Sequence, residues 1–161
     1  MIHDFQALCA LLTGVGAPAR IDEAARAVEI AVTLGGEPHG AMVYWDVRAP
    51  LLHVVLPLRF EVAPAHAAEL ALAIVRVNHA IVLPGFGLDA DRGQTYFRWV
   101  VPRQADGVPE DDVRKAVVAA VSAAGDFLAP LREVAAGALD AARVLDRAAA
   151  LRPRAEGAGP A

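Results

Sequence analysis

The sequence predicts an α+β protein, an antiparallel sheet of about five strands with the helices gathered on one face. Three observations lead there. Three consecutive runs alternate apolar and polar residues with period two and are joined by short turns, which marks an antiparallel meander. Two further runs flank "DRG", an Asp-to-Gly turn of hairpin type. Segments of helical spacing stand before, between and after them. The predicted order is α-β-β-β-α-β-β-α, plus a C-terminal helical extension.

The first helix is "HDFQALCALLT" (3–13), where Phe5, Leu8 and Leu12 share one stripe. Gly14 and Gly16 stop it, and Pro18 follows. "AVEIAVTL" (27–34) sets Val28, Ile30, Val32 and Leu34 against Glu29 and Thr33. "GGEPHG" reads as a turn. "AMVYWDV" (41–47) puts Val43, Trp45 and Val47 on one face and Met42, Tyr44 and Asp46 on the other. "LLHVVLPLRF" (51–60) alternates Leu52, Val54, Leu56 and Leu58 against His53 and Arg59. Pro57 cannot donate to a ladder, which suggests an edge strand, a bulge or a strand end.

Pro64 opens the middle helix, through Ala80. Leu70, Ile74 and Val77 form one stripe and Leu72 and Val75 another, so the helix needs cover on more than one side. "IVLPGFGLDA" and "QTYFRWVVP" follow as the hairpin, with Thr95, Phe97, Trp99 and Val101 on one face and Tyr96, Arg98 and Val100 on the other. Pro109 starts the third helix, with Glu110, Asp111 and Asp112 in the first turn where the positive helix end favours acids. Its stripe of Val113, Val117, Val121, Leu128 and Leu131 runs to about Val134, with Gly125 and Pro130 as expected kinks or breaks. After Gly137, "ALDAARVLDRAAAL" is a short fourth helix. Residues 1–151 read as one domain and 152–161 as a disordered tail.

Composition limits the chemistry. The chain has 161 residues, 56% hydrophobic and 21% charged, with formal net charge −4 and a pI near 5.7. That balance lacks the basic stripe of a nucleic-acid binder, so no nucleic-acid partner is expected. No apolar stretch is long enough to span a bilayer and the start lacks a signal peptide, so the expectation is a cytoplasmic, bacterial protein without a membrane partner. The one cysteine, Cys9, lies among leucines and reads as a buried hydrophobe.

No catalytic, cofactor or metal residue is expected. "GFG" (85–87) lacks the third glycine of a dinucleotide loop and precedes a strand, not a helix. Asp89 and Asp91 fit a turn better than a calcium loop, since Arg92 would set a cation beside the metal. His3, His39, His53, His66 and His79 contain no i, i+4 pair, so they are read as solvated or interface residues. His66 and Glu69 share a helix face but have no evident third ligand. Ser122, the sole serine, sits in a helix pattern. Trp45 and Trp99 read as core. Tyr44, Tyr96 and Arg98 are candidate protein-binding residues, because aromatic residues with arginine mark interfaces.

The chain resembles the YbjN family, which shares the fold of type III secretion chaperones. The residues that carry the resemblance are Asn78 late in the middle helix, Leu88-Asp89 at a strand end, Gly93 in the turn and Pro109-Glu110-Asp111 at a helix start. It covers roughly residues 1 to 136; the "PGFG" stretch and the helix after Gly137 are additions to that pattern. The resemblance implies a protein-binding or regulatory module, often dimeric, with no catalytic residues. The expected function is therefore a non-enzymatic, chaperone-like or regulatory module with an unidentified protein partner. A homodimer is expected through the middle helix, at Leu70, Leu72, Ile74, Val75 and Val77. In the competing arrangement the C-terminal helix covers the second stripe. The alternative function is a small-molecule binder or enzyme using a pocket between helices and sheet.

Overall fold

A computed structural model describes residues 1–14, 16–82 and 85–152. The predicted residues of the tail from 153 onward lie outside them. The elements are α1 (Phe5–Thr13), β1 (Ala19–Asp22), β2 (Ala27–Leu34), β3 (Glu37–Trp45), β4 (Leu51–Leu58), α2 (Ala67–Ala80), β5 (Phe86–Asp89), β6 (Gln94–Pro102), α3 (Glu110–Ala135) and α4 (Val144–Leu151). Single 3₁₀ turns precede α2 and α4. The six strands form one antiparallel sheet in the order β1-β2-β3-β4-β6-β5. The α+β class and the element order are as the sequence predicts, with one strand more.

The extra strand is β1, "ARID". It is short, mostly exposed and lacks apolar alternation, so no period-two signal announces it. It exists because β2 offers it an edge, from Ala19 opposite Ile30 to Asp22 opposite Ala27. The second difference is the start of β3. Only Gly35 and Gly36 form the turn, both at positive φ (56° and 84°), so pairing begins at once with Glu37 opposite Leu34. This early start places His39 on the inner face with Ala41 and Val43. His39 is buried within this chain, where a solvated or interface histidine was expected. Pro57 lies in a central strand near its end, two residues past the last β3–β4 pair, Met42 with Val55.

α1 begins where Asp4 Oδ1 accepts the Ala7 N–H at 2.8 Å. Cys9 is buried beneath it, and burial raises its thiol pKa. α3 is one continuous helix through Gly125 and Pro130, where a kink or break was expected. A proline inside a helix costs about 3 kcal/mol. Phe127, Leu128, Leu131 and Val134, all buried around it, outweigh that at about 1.5–3 kcal/mol each.

The helices pack on the face of Val28, Ile30, Val43, Leu52, Val54, Leu56 and Phe97. On α2, Leu70, Ile74 and Val77 are buried in that same core. They are therefore not available to a second chain, and the expected dimer set shrinks to Leu72 and Val75, which stay 46% and 63% exposed. The C-terminal extension does fold back on α2: the Ala141 N–H donates to Glu69 Oε1 at 2.7 Å. The ring of His66 occupies the space a side chain at Gly137 would need. The His66–Glu69 pair thus docks the extension. It does not cover Leu72 and Val75.

Candidate protein-binding face

Among the described residues no helix packs on the other face of the sheet. Strand register fixes its rows. Met42, Val55 and Arg98 form one, and Tyr44, His53 and Val100 the next. Pro57, Tyr96 and Gly87 form a third. Met42, Tyr44, Val55, Pro57, Tyr96 and Val100 are half-buried, and Arg98 is exposed. The three expected binding residues, Tyr44, Tyr96 and Arg98, therefore share this face. Phe97 is buried and Trp99 half-buried on the helix side. Trp45 is core, with the Arg103 guanidinium 4.2 Å from its ring centre.

Each aromatic of the face is held. The Tyr44 hydroxyl donates to Met42 Sδ at 3.1 Å. Burial, assisted by the charges of Glu29 and Asp22, raises its pKa and keeps it a neutral phenol. The ring of Tyr96 lies across Gly87, where an added Cβ would stand 2.5 Å from Tyr96 Cζ. Only glycine lets that ring lie flat, as cross-strand aromatics do over strand glycines.

The "GFG" stretch has a structural role. Asn78 Oδ1 accepts the N–H of Gly85 (3.2 Å) and of Phe86 (3.0 Å), and its Nδ2 donates to the Phe86 carbonyl (2.9 Å). Phe86 then packs edge-on against Phe97, 4.9 Å between ring centres. Asp89 acts as a turn residue, accepting the Arg92 N–H at 3.1 Å. Among the described residues no three of His, Cys, Asp and Glu come together as a metal site, and no helix is long and apolar enough to cross a membrane.

Most ions of this face are neutralised. Arg20 pairs with Glu29 at 2.8 Å, Arg92 with Asp89 at 3.4 Å and His53 with Asp46 at 3.3 Å. The Asp46 carboxyl is held below its usual range, first by the Arg48 N–H and then by Ala49 and His53. Of the apolar residues of this face, sequence reasoning left out Val55, although period two places it in phase with His53. It also missed Arg103, which donates to the carbonyls of Leu51 (3.1 Å), Ala49 (2.8 Å) and Asp46 and fixes the turn between β3 and β4.

The model of the YbjN family, "Putative bacterial sensory transduction regulator", matches residues 4–133. The chain belongs to this family. Among solved structures it is similar to "Crystal structure of YbjN, a putative transcription regulator from E. coli", at 12% identity and TM-score 0.57. That match covers 78% of this chain and 92% of the other. A second match, "Structure of the HopA1-SchA Chaperone-Effector Complex", has 15% identity and TM-score 0.47, over 82% and 90% of the two chains. At these identities the YbjN likeness speaks for the fold alone. No curated protein matches the chain.

Proposed function

We propose that this YbjN-family chain is a non-enzymatic, cytoplasmic, chaperone-like or regulatory module that binds another protein through the open face of its sheet. The observation that carries the reading is the composition of that face. Six half-buried apolar or aromatic side chains stand around one exposed arginine, on the face where none of the described helices packs. Such surroundings of aromatic residues and arginine are enriched at protein interfaces. The family's description as a sensory transduction regulator accords with a binding role. The alternative, a ligand pocket between helices and sheet, is less favoured because Leu34, Leu56, Phe97, Leu128 and Leu131 fill that layer.

The test is comparative capture. The wild-type chain should retain a specific protein from lysate, and a Tyr44→Ala, Tyr96→Ala, Arg98→Glu variant with an unchanged circular dichroism spectrum should lose it. Equal capture by both would refute the reading. The same proposal includes a homodimer through α2, carried by the exposure of Leu72 and Val75. Covering each would stabilise the pair by up to about 1.5–3 kcal/mol, in an isologous contact. Light scattering at micromolar concentration should give twice the chain mass of 16.8 kDa, and Leu72→Glu or Val75→Glu should give a folded monomer. A wild-type particle of single mass would end the dimer.

A further inference from the structure

We infer that Arg98 is the anchor of the open face for a partner segment that sets one carboxylate among apolar side chains. The inference rests on the reading of that face as a protein-binding surface and adds the chemistry of what it takes. Arg98 stands mid-strand, beside Val55 across the ladder and between Tyr96 and Val100 along β6. Among the described residues it has no acidic partner, whereas Arg20, Arg92 and His53 on the same face each have one. Arg59 stands beyond the end of β4, where it lines a separate cleft with Glu61.

Arg98 also lines an open cleft of about 430 Å³, together with Asn78, Tyr96, Phe97, Trp99 and Val100. It is the only charged residue among the described lining. Asn78 is committed to the backbone of Gly85 and Phe86. Arg98 thus stands without an acidic partner among apolar and aromatic residues, on the open face beside Val55, Tyr96 and Val100 and at the rim of this cleft. A guanidinium presents a planar fork of N–H donors that matches a carboxylate two bonds at a time. Apolar neighbours strengthen that pair by excluding water around it. The occupant's remaining surface must be apolar to match Tyr96, Val55, Val100 and Met42, which extend across three strands. An extended peptide covers such a width. The chain's net charge of −4 disfavours a polyanionic partner at long range, and one arginine without an acidic partner among the paired cations of this face matches one carboxylate.

Peptide selection on the immobilised full chain tests this, using a displayed library of random dodecapeptides and then fluorescence anisotropy on the winners. Wild type should enrich peptides with one Asp or Glu between apolar residues. Arg98→Gln should weaken their binding about tenfold or more, Arg98→Lys should weaken it less, and Arg98→Glu should select Lys or Arg at the same place. Arg98 is exposed, so these variants keep the core intact. If Arg98→Glu selects the same acidic peptides while Tyr96→Ala abolishes binding, the anchor is overturned and the open-face reading survives. Enrichment of acids all along the peptide would overturn the single-carboxylate form. Peptides that bind Tyr96→Ala and Arg98→Glu as well as wild type would overturn both the anchor and the face.

Discussion

Thr95 buries a hydroxyl with no hydrogen-bond partner among the described residues, and His39 buries two ring nitrogens in the same state. Desolvating a polar group without a partner opposes folding. Replacing Thr95 by valine, nearly the same shape, removes that cost. Thr95→Val should raise unfolding stability by about 1 kcal/mol in a denaturant titration; a loss of similar size would show that the hydroxyl has a partner after all. The surface pairs give a second expectation. The Arg147 guanidinium bonded to Glu133 holds that carboxyl below its usual range, and Arg132 does the same to Glu37. A depressed folded-state pKa contributes stability that is present above the unfolded value, about 4.3 for glutamate, and is lost as pH falls through the lower folded value. The melting temperature should therefore fall on acidification below about pH 4, and Arg147→Gln should flatten part of that limb. Identical acid limbs for the two proteins would contradict it. None of this was legible in the sequence. His39 gave no burial signal, because the strand that turns it inward starts in a stretch of Glu, Pro, His and Gly.

β5 depends on one side chain of α2. It has four residues at the sheet edge, too few to hold a register alone. Asn78 supplies three bonds to its start, and Phe86 packs on Phe97 and Phe127. Asn78→Ala would leave part-buried backbone groups at Gly85 and Phe86 to find water. The expected loss is about 2 kcal/mol, with faster amide hydrogen exchange from Phe86 to Asp89 than elsewhere in the sheet. Uniform exchange across β5 and β6 in the variant would sink the clamp. The meander was legible because apolar alternation over β2, β3 and β4 survives any shift of boundary. The span of β5 was not, since Ile81 and Val82 look like strand by composition while α2 ends just before them. β1 was invisible for the opposite reason: its partner, not its composition, makes it a strand.

The whole molecule is a sheet with one face committed and one free. α2 and α3 bury the inner side chains, and α4 closes over α2 and α3. The outer side chains of β3, β4 and β6 remain at the surface. That division was written in the sequence as the two phases of each strand, and so was the grouping of Tyr44, Tyr96 and Arg98. What the phases could not say is which face the helices take, because Phe97 and Trp99 are as aromatic as Tyr96. Nor did they show that the C-terminal extension docks through His66 and Glu69 and leaves Leu72 and Val75 bare. The central claim is that the free face binds a different protein, and the most direct test is site-specific photo-crosslinking in the living cell. A photoreactive phenylalanine would replace Tyr44 or Tyr96 and, as a control on the helix layer, Val118, which is 68% exposed. Positions 44 and 96 should crosslink to one and the same heterologous protein, and position 118 should not. If 44 and 96 yield no adduct, or the partner is trapped from 118 alone, the open face is not the binding site.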